Sequence, residues 1–356
     1  MSNPPLGLIE GSYGRPWSWP ERTETVRFLA QHDYTFHVYA PKAATWLRRA
    51  WRAPAPTAEL ASLIGHAREC KRLGVRFGIG LSPHEFDASA GSPDWAALDH
   101  RLDQITAAGA TILALLFDDI RGDDPLLAQR QLRIAHACQA HGGFDTLWVC
   151  PTYYSDDLIL DRVFGQRPPD YLRRLADGLG GETGIFWTGP EVCSREISPA
   201  HLQAVAQTLG RAPVLWDNYP VNDGQRMCKV LHLRAFSGRP ASNRDWLAAH
   251  AINPALQPTL TRIAAATLAE RYRVGEPAWR PEQALARACE AVLGRALGRM
   301  VREDLIALQD TGRDRLADQA ASLRCRYQGI DHPGAREIIA WLDGAYEITD
   351  EIVRTQ

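Results

Sequence analysis

Short apolar runs alternate with amphipathic stretches along the first three quarters of the chain. The runs at 6–9, 34–39, 76–81, 111–117, 146–150, 184–187 and 213–216 are too short for helices, and each stops at a turn or polar cluster, so they read as strands. Between them lie helix-length segments near 21–31, 57–73, 95–108, 125–141, 170–179 and 199–209. In the second of these, Leu60, Leu63, Ile64 and Ala67 recur at helical spacing and mark one buried face. A less regular run near 229–233 stands where an eighth strand is needed.

A strand that returns parallel to its predecessor needs a crossover of a dozen or more residues, usually a helix. Seven clear strand-helix units and an eighth therefore predict an α/β protein whose strands close into a (β/α)8 TIM-like barrel. An open doubly wound sheet is the alternative, but it carries a glycine-rich phosphate turn after its first strand. Here that strand runs into Glu10-Gly11-Ser12-Tyr13-Gly14-Arg15-Pro16-Trp17, with bulky side chains between the glycines. From about 258 the strand signal ends, and 260–271, 281–297 and 301–323 read as helices. The turn at Val274-Gly275-Glu276-Pro277 marks a boundary between a barrel domain at 1–275 and a C-terminal helical region at 276–356.

Composition narrows the partners. The 356 residues carry a formal net charge of -2, with Arg interleaved among Asp and Glu, so no basic field points to nucleic acid or an anionic membrane. The opening Met1-Ser2-Asn3-Pro4-Pro5 has no basic, apolar leader pattern, and no apolar run approaches the length of a bilayer span. Cys70, Cys138, Cys150, Cys193, Cys228, Cys289 and Cys325 are scattered and odd in number, as expected of reduced thiols in a cytoplasmic protein. The apolar faces of the C-terminal helices pack on the barrel or on a second copy, which makes a homodimer one expectation.

In a barrel of this class, chemistry sits at the carboxyl ends of the strands. Glu10-Gly11, Lys42, Asp118-Asp119, Tyr153-Tyr154, Thr188-Gly189 and Trp216-Asp217-Asn218 all fall there. The Asp pair is the sharpest feature, because it emerges from the apolar run Leu113-Ala114-Leu115-Leu116-Phe117. Two carboxylates crowded at low dielectric cannot both ionise freely, so one is expected to hold its proton and serve as a general acid. The pair alone equally fits a turn or helix-capping role. Trp17, Trp187 and Trp216 each fit sugar stacking or plain packing, and Tyr154 and Asn218 fit ligand binding or satisfied burial. Nothing argues for a metal or cofactor: His136 and His141 are wrongly spaced for one helix face, His84-Glu85 lacks a second His, and no G-x-S-x-G occurs.

Taken in order, the motifs form a set. Gly7-Leu8-Ile9-Glu10-Gly11 with Tyr13-Gly14-Arg15-Pro16-Trp17, Tyr39-Ala40-Pro41-Lys42, Phe117-Asp118-Asp119-Ile120, Cys150-Pro151-Thr152, Trp187-Thr188-Gly189-Pro190, Val214-Leu215-Trp216-Asp217-Asn218, Asn222-Asp223 and Asn253-Pro254 resemble glycoside hydrolase family 84 over about 6–275. That family holds protein O-GlcNAcases and hyaluronidase-type β-N-acetylglucosaminidases, and this chain resembles a short, bacterial-type member. The resemblance implies retaining, exo-acting, substrate-assisted hydrolysis of β-linked N-acetylglucosamine, from small glycosides or glycoproteins, without a cofactor. It implies that Asp118 orients the substrate acetamido group, Asp119 moves the proton and Tyr154 bonds the acetamido carbonyl. By the same resemblance, Trp216 is expected to wall the acetyl pocket, and Gly11, Lys42, Asn218, Asp223 and Asn253 to bind sugar hydroxyls. Ser12, Ala43 and Tyr153 depart from the family pattern beside those contacts and bear on leaving-group preference. A non-catalytic, lectin-like sensor of amino sugars on the same barrel is the competing expectation.

Overall fold

The computed structural model describes residues 3–356, so Met1 and Ser2 of the opening segment lie outside it. Eight strands, β1 (Leu6–Glu10), β2 (Tyr34–Tyr39), β3 (Arg76–Leu81), β4 (Ile112–Leu116), β5 (Thr146–Cys150), β6 (Gly184–Trp187), β7 (Val214–Asp217) and β8 (Ala249–Ile252), pair in chain order into a closed barrel. Every pairing is parallel, and β8 returns to β1 through Leu6 opposite His250 and Leu8 opposite Ile252. Buried on both faces, the strands need no polar alternation, which is why β4 is a continuous apolar run.

The barrel is wrapped by α1 (Trp19–Ala30), α2 (Thr57–Arg72), α3 (Asp94–Ala107), α4 (Leu127–His141), α5 (Ile159–Phe164), α6 (Tyr171–Gly178), α7 (Pro199–Leu209) and α8 (Pro258–Val274). The start of α1 illustrates how local sequence sets these elements. Ser18 Oγ accepts the Glu21 N–H, and the Glu21 carboxylate accepts the Ser18 N–H at 2.7 Å, a reciprocal cap contributing about 1 kcal/mol. Inside the barrel, the rings of Phe36 and Trp148 meet edge to face at 4.9 Å. They belong to β2 and β5, which are not neighbours, so this contact crosses the interior. Trp148 continues to Phe186 at 5.5 Å and Phe186 to Trp216 at 5.3 Å, an aromatic column ending at the carboxyl rim.

Two expectations are corrected. The eighth strand is not the run near 229–233 but Ala249–Ile252. The earlier run lies in a long β7–β8 connection, where Leu231 and Leu233 bury against the C-terminal helices and the Leu231 N–H donates to the Leu308 carbonyl at 2.9 Å. Its apolar character serves that interface. The helix expected over 301–323 is also interrupted: α9 (Pro281–Glu303) ends there, a single π turn covers Ile306–Thr311, and Gly312 turns the chain at φ 83°. α10 (Gln319–Tyr327), α11 (Pro333–Leu342) and α12 (Asp350–Thr355) follow.

The C-terminal helices share a buried cluster with Leu256, Leu260, Ile263 and Ala266 on the α8 side of the barrel. The Glu337 carboxylate of α11 receives the Thr259 and Leu260 N–H groups at 2.8 and 3.0 Å, capping the otherwise unpaired first turn of α8. Among the described residues, no helix is long and apolar enough to cross a membrane.

Candidate active site

The carboxyl rim of the barrel opens into a cavity of about 290 Å³. Gly11, Lys42, Asp118, Asp119, Tyr154, Trp216, Asn218, Asp223 and Asn253 all line it. They come from the ends of six strands, so distant sequence positions converge because the strands stop at one level.

In an extended strand, successive side chains point to opposite faces, yet Asp118 and Asp119 both reach the cavity. The reason is local: Asp119 sits at φ 58°, a left-handed conformation that aspartate tolerates better than most residues and that breaks the alternation. Both carboxylates then meet one ammonium. Lys42 Nζ contacts Asp118 Oδ2 and lies 3.0 Å from Asp119 Oδ2. Asp119 Oδ2 also accepts the Tyr13 hydroxyl at 2.8 Å and faces the Arg48 guanidinium at 3.6 Å. Asp118 Oδ1 is buried without a protein donor.

The electrostatics correct one expectation. Burial pushes the Asp119 carboxyl up, but Lys42, then Arg48 and the Tyr13 hydroxyl, more than offset it and hold the group below its ordinary value. Crowding of the two aspartates therefore does not keep a proton on Asp119, because a cation stands between them. Lys42, buried, is held charged by Asp118 and Asp119 against its burial.

The other rim groups are pre-set by one another. Asn253 accepts the Gly11 N–H at 3.1 Å and donates to Asn218 Oδ1 at 3.0 Å, while Asn218 donates to the Val192 carbonyl at 2.7 Å. Asp223 Oδ2 accepts the Tyr13 N–H at 2.9 Å. Gly11 has to lack a side chain, because a Cβ there would collide with the Trp216 ring. Of the three tryptophans singled out, only Trp216 reaches the cavity. Trp17 donates to the Ala255 carbonyl and Trp187 to His201. Tyr153 also points elsewhere: it is fully buried against Tyr171 and donates to the Gly165 carbonyl, so its departure from the family pattern does not touch the cavity.

Tyr13, Arg48, Thr188, Val192, Cys193 and Val353 form or back the walls and were not assigned. Tyr13 belongs to the Tyr13-Gly14-Arg15-Pro16-Trp17 motif, whereas nothing in the local sequence marks Arg48 or Val353. His37, His66 and Cys70 also place ligand-type atoms within 4.8 Å of one another. The His37 ring, however, is spanned between Glu10 at 2.8 Å and His66 at 2.9 Å, and burial pushes His66 down to about 3. That arrangement is a hydrogen-bonded brace under the rim.

A family model described as beta-N-acetylglucosaminidase matches residues 6–310. Over 280 residues the chain is 32% identical to the protein O-GlcNAcases of Mus musculus and Rattus norvegicus, covering 75% of this chain and 30% of each relative. The chain thus spans under a third of those relatives' length. A solved mutant O-GlcNAc hydrolase of Thermobaculum terrenum superposes with a TM-score of 0.78 at 24% identity, covering 95% of this chain and 80% of that one. That likeness concerns the fold.

Proposed function

The chain belongs to the β-N-acetylglucosaminidase family, glycoside hydrolase family 84, and from that membership we propose that it is a retaining exo-β-N-acetylglucosaminidase, able to remove O-linked N-acetylglucosamine from proteins. The observation that carries the reading is the shared ammonium: Asp118 and Asp119 both bind Lys42, so they stand on one side of the cavity. A retaining glycosidase with a protein nucleophile needs its two carboxylates on opposite faces of the sugar. Here the substrate's own acetamido oxygen takes the nucleophile's place.

Asp118, whose Oδ1 has no protein donor, accepts the acetamido N–H and orients that group. Tyr154 donates to the acetamido oxygen as it attacks the anomeric carbon, and Trp216 closes the acetyl pocket. The glycosidic C–O bond breaks with its electrons on the leaving oxygen, which takes a proton from Asp119, and an oxazolinium ion remains, its N–H still donated to Asp118. Asp119 then removes a proton from water as the water opens that ring. Asp119 must be protonated for the first step. Gly11, Lys42, Asn218, Asp223 and Asn253 bind sugar hydroxyls, and a sugar that draws Lys42 away weakens the largest of the influences that hold Asp119 ionised, leaving those of Arg48 and Tyr13.

The test is hydrolysis of a chromogenic β-N-acetylglucosaminide by wild type and Asp119→Ala, beside the matching β-glucoside. Turnover of the first sugar by wild type, a loss of about 100-fold or more in the variant, and near-silence on the glucoside are expected. No wild-type turnover sinks the activity, and if N-acetylglucosamine still binds tightly the lectin-like reading takes over. Equal rates on both sugars sink substrate assistance. Two finer readings accompany the activity. Seven cysteines without a disulfide suit a cytoplasmic setting. A homodimer through the C-terminal region, where Ile306 is exposed, is the second, and a mass in solution twice that of the chain is its test.

A further inference from the structure

Most cavity walls come from barrel loops, but one does not. Val353 of α12, far along the chain from the rim residues, lines the same cavity as Asp118 and Asp119. The segment from Tyr346 to Gln356 returns from the C-terminal helices to the barrel mouth and is fastened along its length. Glu347 binds Lys229 and Arg313, and Asp350 receives the Gln225 side-chain amide. Ile348 is buried against Gly14, where a Cβ would collide with it. At the far end, the Gln356 side chain pairs with the Gly14 backbone in both directions, at 2.7 and 3.2 Å, and the Gln356 carbonyl accepts from Arg48 at 2.5 Å.

Those anchors fix which side of the cavity the segment covers. Arg48 also donates to the Tyr13 hydroxyl at 3.2 Å and faces Asp119. Beside Lys42, the groups gathered around the carboxylate assigned to protonate the leaving oxygen are therefore Tyr13 and Arg48, and the end of α12 reaches them through Gln356. Lys42, Asn218, Asp223, Asn253 and Trp216 enclose the sugar. A proton donor must face the glycosidic oxygen, so the leaving group lies on the Asp119 side, against α12.

Resting on the function proposed above, we propose that α12 forms a wall of the leaving-group site and that Val353 is a specificity-determining residue, its isopropyl group contacting an apolar leaving group. Val353 is 37% exposed, open enough to meet a ligand and to accept substitution. The contact is apolar, so it favours aryl or hydrophobic peptide leaving groups over small polar ones. It does not touch the sugar and is not catalytic.

Steady-state kinetics on methyl and 4-methylumbelliferyl β-N-acetylglucosaminides separate the possibilities. Val353→Asn is expected to raise KM for the aryl glycoside about tenfold, because a neutral polar group replaces an apolar contact without adding a charge near Asp119. KM for the methyl glycoside, and kcat for both, should move less than about twofold. Glu347→Ala, remote from the cavity, loosens the anchoring and should lower aryl preference in the same direction. Equal changes on both glycosides, or none on either, overturn the assignment while wild-type turnover leaves the activity standing. Absence of wild-type turnover removes the activity and this inference with it.

Discussion

Asp118 and Asp217 both stand at the carboxyl rim of the barrel, after β4 and at the end of β7, yet their surroundings make them opposites. Asp217 is sealed. Arg239 grips both of its oxygens, at 2.8 and 2.7 Å, and His250 adds a bond at 3.0 Å. Glu10, at the end of β1, is of the same kind, held by Arg22 and His37. Asp118 has Lys42 on one oxygen, while its other oxygen is buried without a protein donor in a residue that lines the cavity. Residue type and strand position are shared. What separates the brace from the proposed reaction centre is whether the protein itself fills every acceptor site.

The strongest way to break that contrast is to make the same change at both positions. Asp118→Asn is expected to lower kcat/KM on an aryl β-N-acetylglucosaminide by about 100- to 10,000-fold, with a smaller fall in Tm than at Asp217, because the buried Lys42 keeps Asp119 as a partner at 3.0 Å. Asp217→Asn is expected to act on the fold, because Arg239 loses its counter-charge in a buried setting. A loss of about 3–5 kcal/mol follows from breaking such a pair, seen as a fall in Tm of about 5–10 °C. Similar stability losses at both sites, with activity kept in Asp118→Asn, would collapse the distinction.

The pH dependence of stability sharpens it at a smaller scale. Burial pushes the Asp217 carboxyl up, but Arg239 and then His250 outweigh it and bring it down to about 2. A carboxyl depressed in the folded state adds stability that is fully present above its unfolded value near 4 and fades as pH falls towards 2. Its share is about 2 kcal/mol. Urea unfolding between pH 5 and pH 2 should therefore show a shallower acid slope in Asp217→Asn than in wild type. An unchanged slope would mean that the pair is not ionised as drawn.

The sequence shows β1 to β7 because strands buried on both faces write continuous apolar runs, whatever their partners. It hides β8 because Ala249–Ile252 breaks its apolar run with His250, whose ring is satisfied by the distant Asp217 and Tyr272. The decoy near 229–233 has the right composition for the wrong neighbour. All nine residues assigned through the family resemblance meet in one cavity. Arg48 and Val353 stay hidden because their places depend on how the C-terminal segment folds back. The left-handed turn at Asp119 and the ammonium between the aspartates are likewise tertiary outcomes, and they reverse the direction in which crowding alone would shift Asp119.

Asp223 carries the smallest effect and the opposite sign. It lies six positions after Asp217, but burial dominates: the Tyr13 N–H and Lys42 only partly offset it, and its carboxyl is lifted to about 6. A carboxyl raised in the folded state costs stability as pH climbs from its unfolded value through 6, the reverse of Asp217. Sugar hydroxyls donate to a carboxylate, so a bound sugar favours the ionised form. Affinity for N-acetylglucosamine, measured by calorimetry, should therefore fall severalfold, about 3-fold or more, from pH 7 to pH 5. Asp223→Asn, which has no proton to take up, should bind more weakly at pH 7 and lose that inflection. Wild-type affinity that stays level across this range would take Asp223 out of the sugar contacts and leave it, like Asp217, a structural carboxylate.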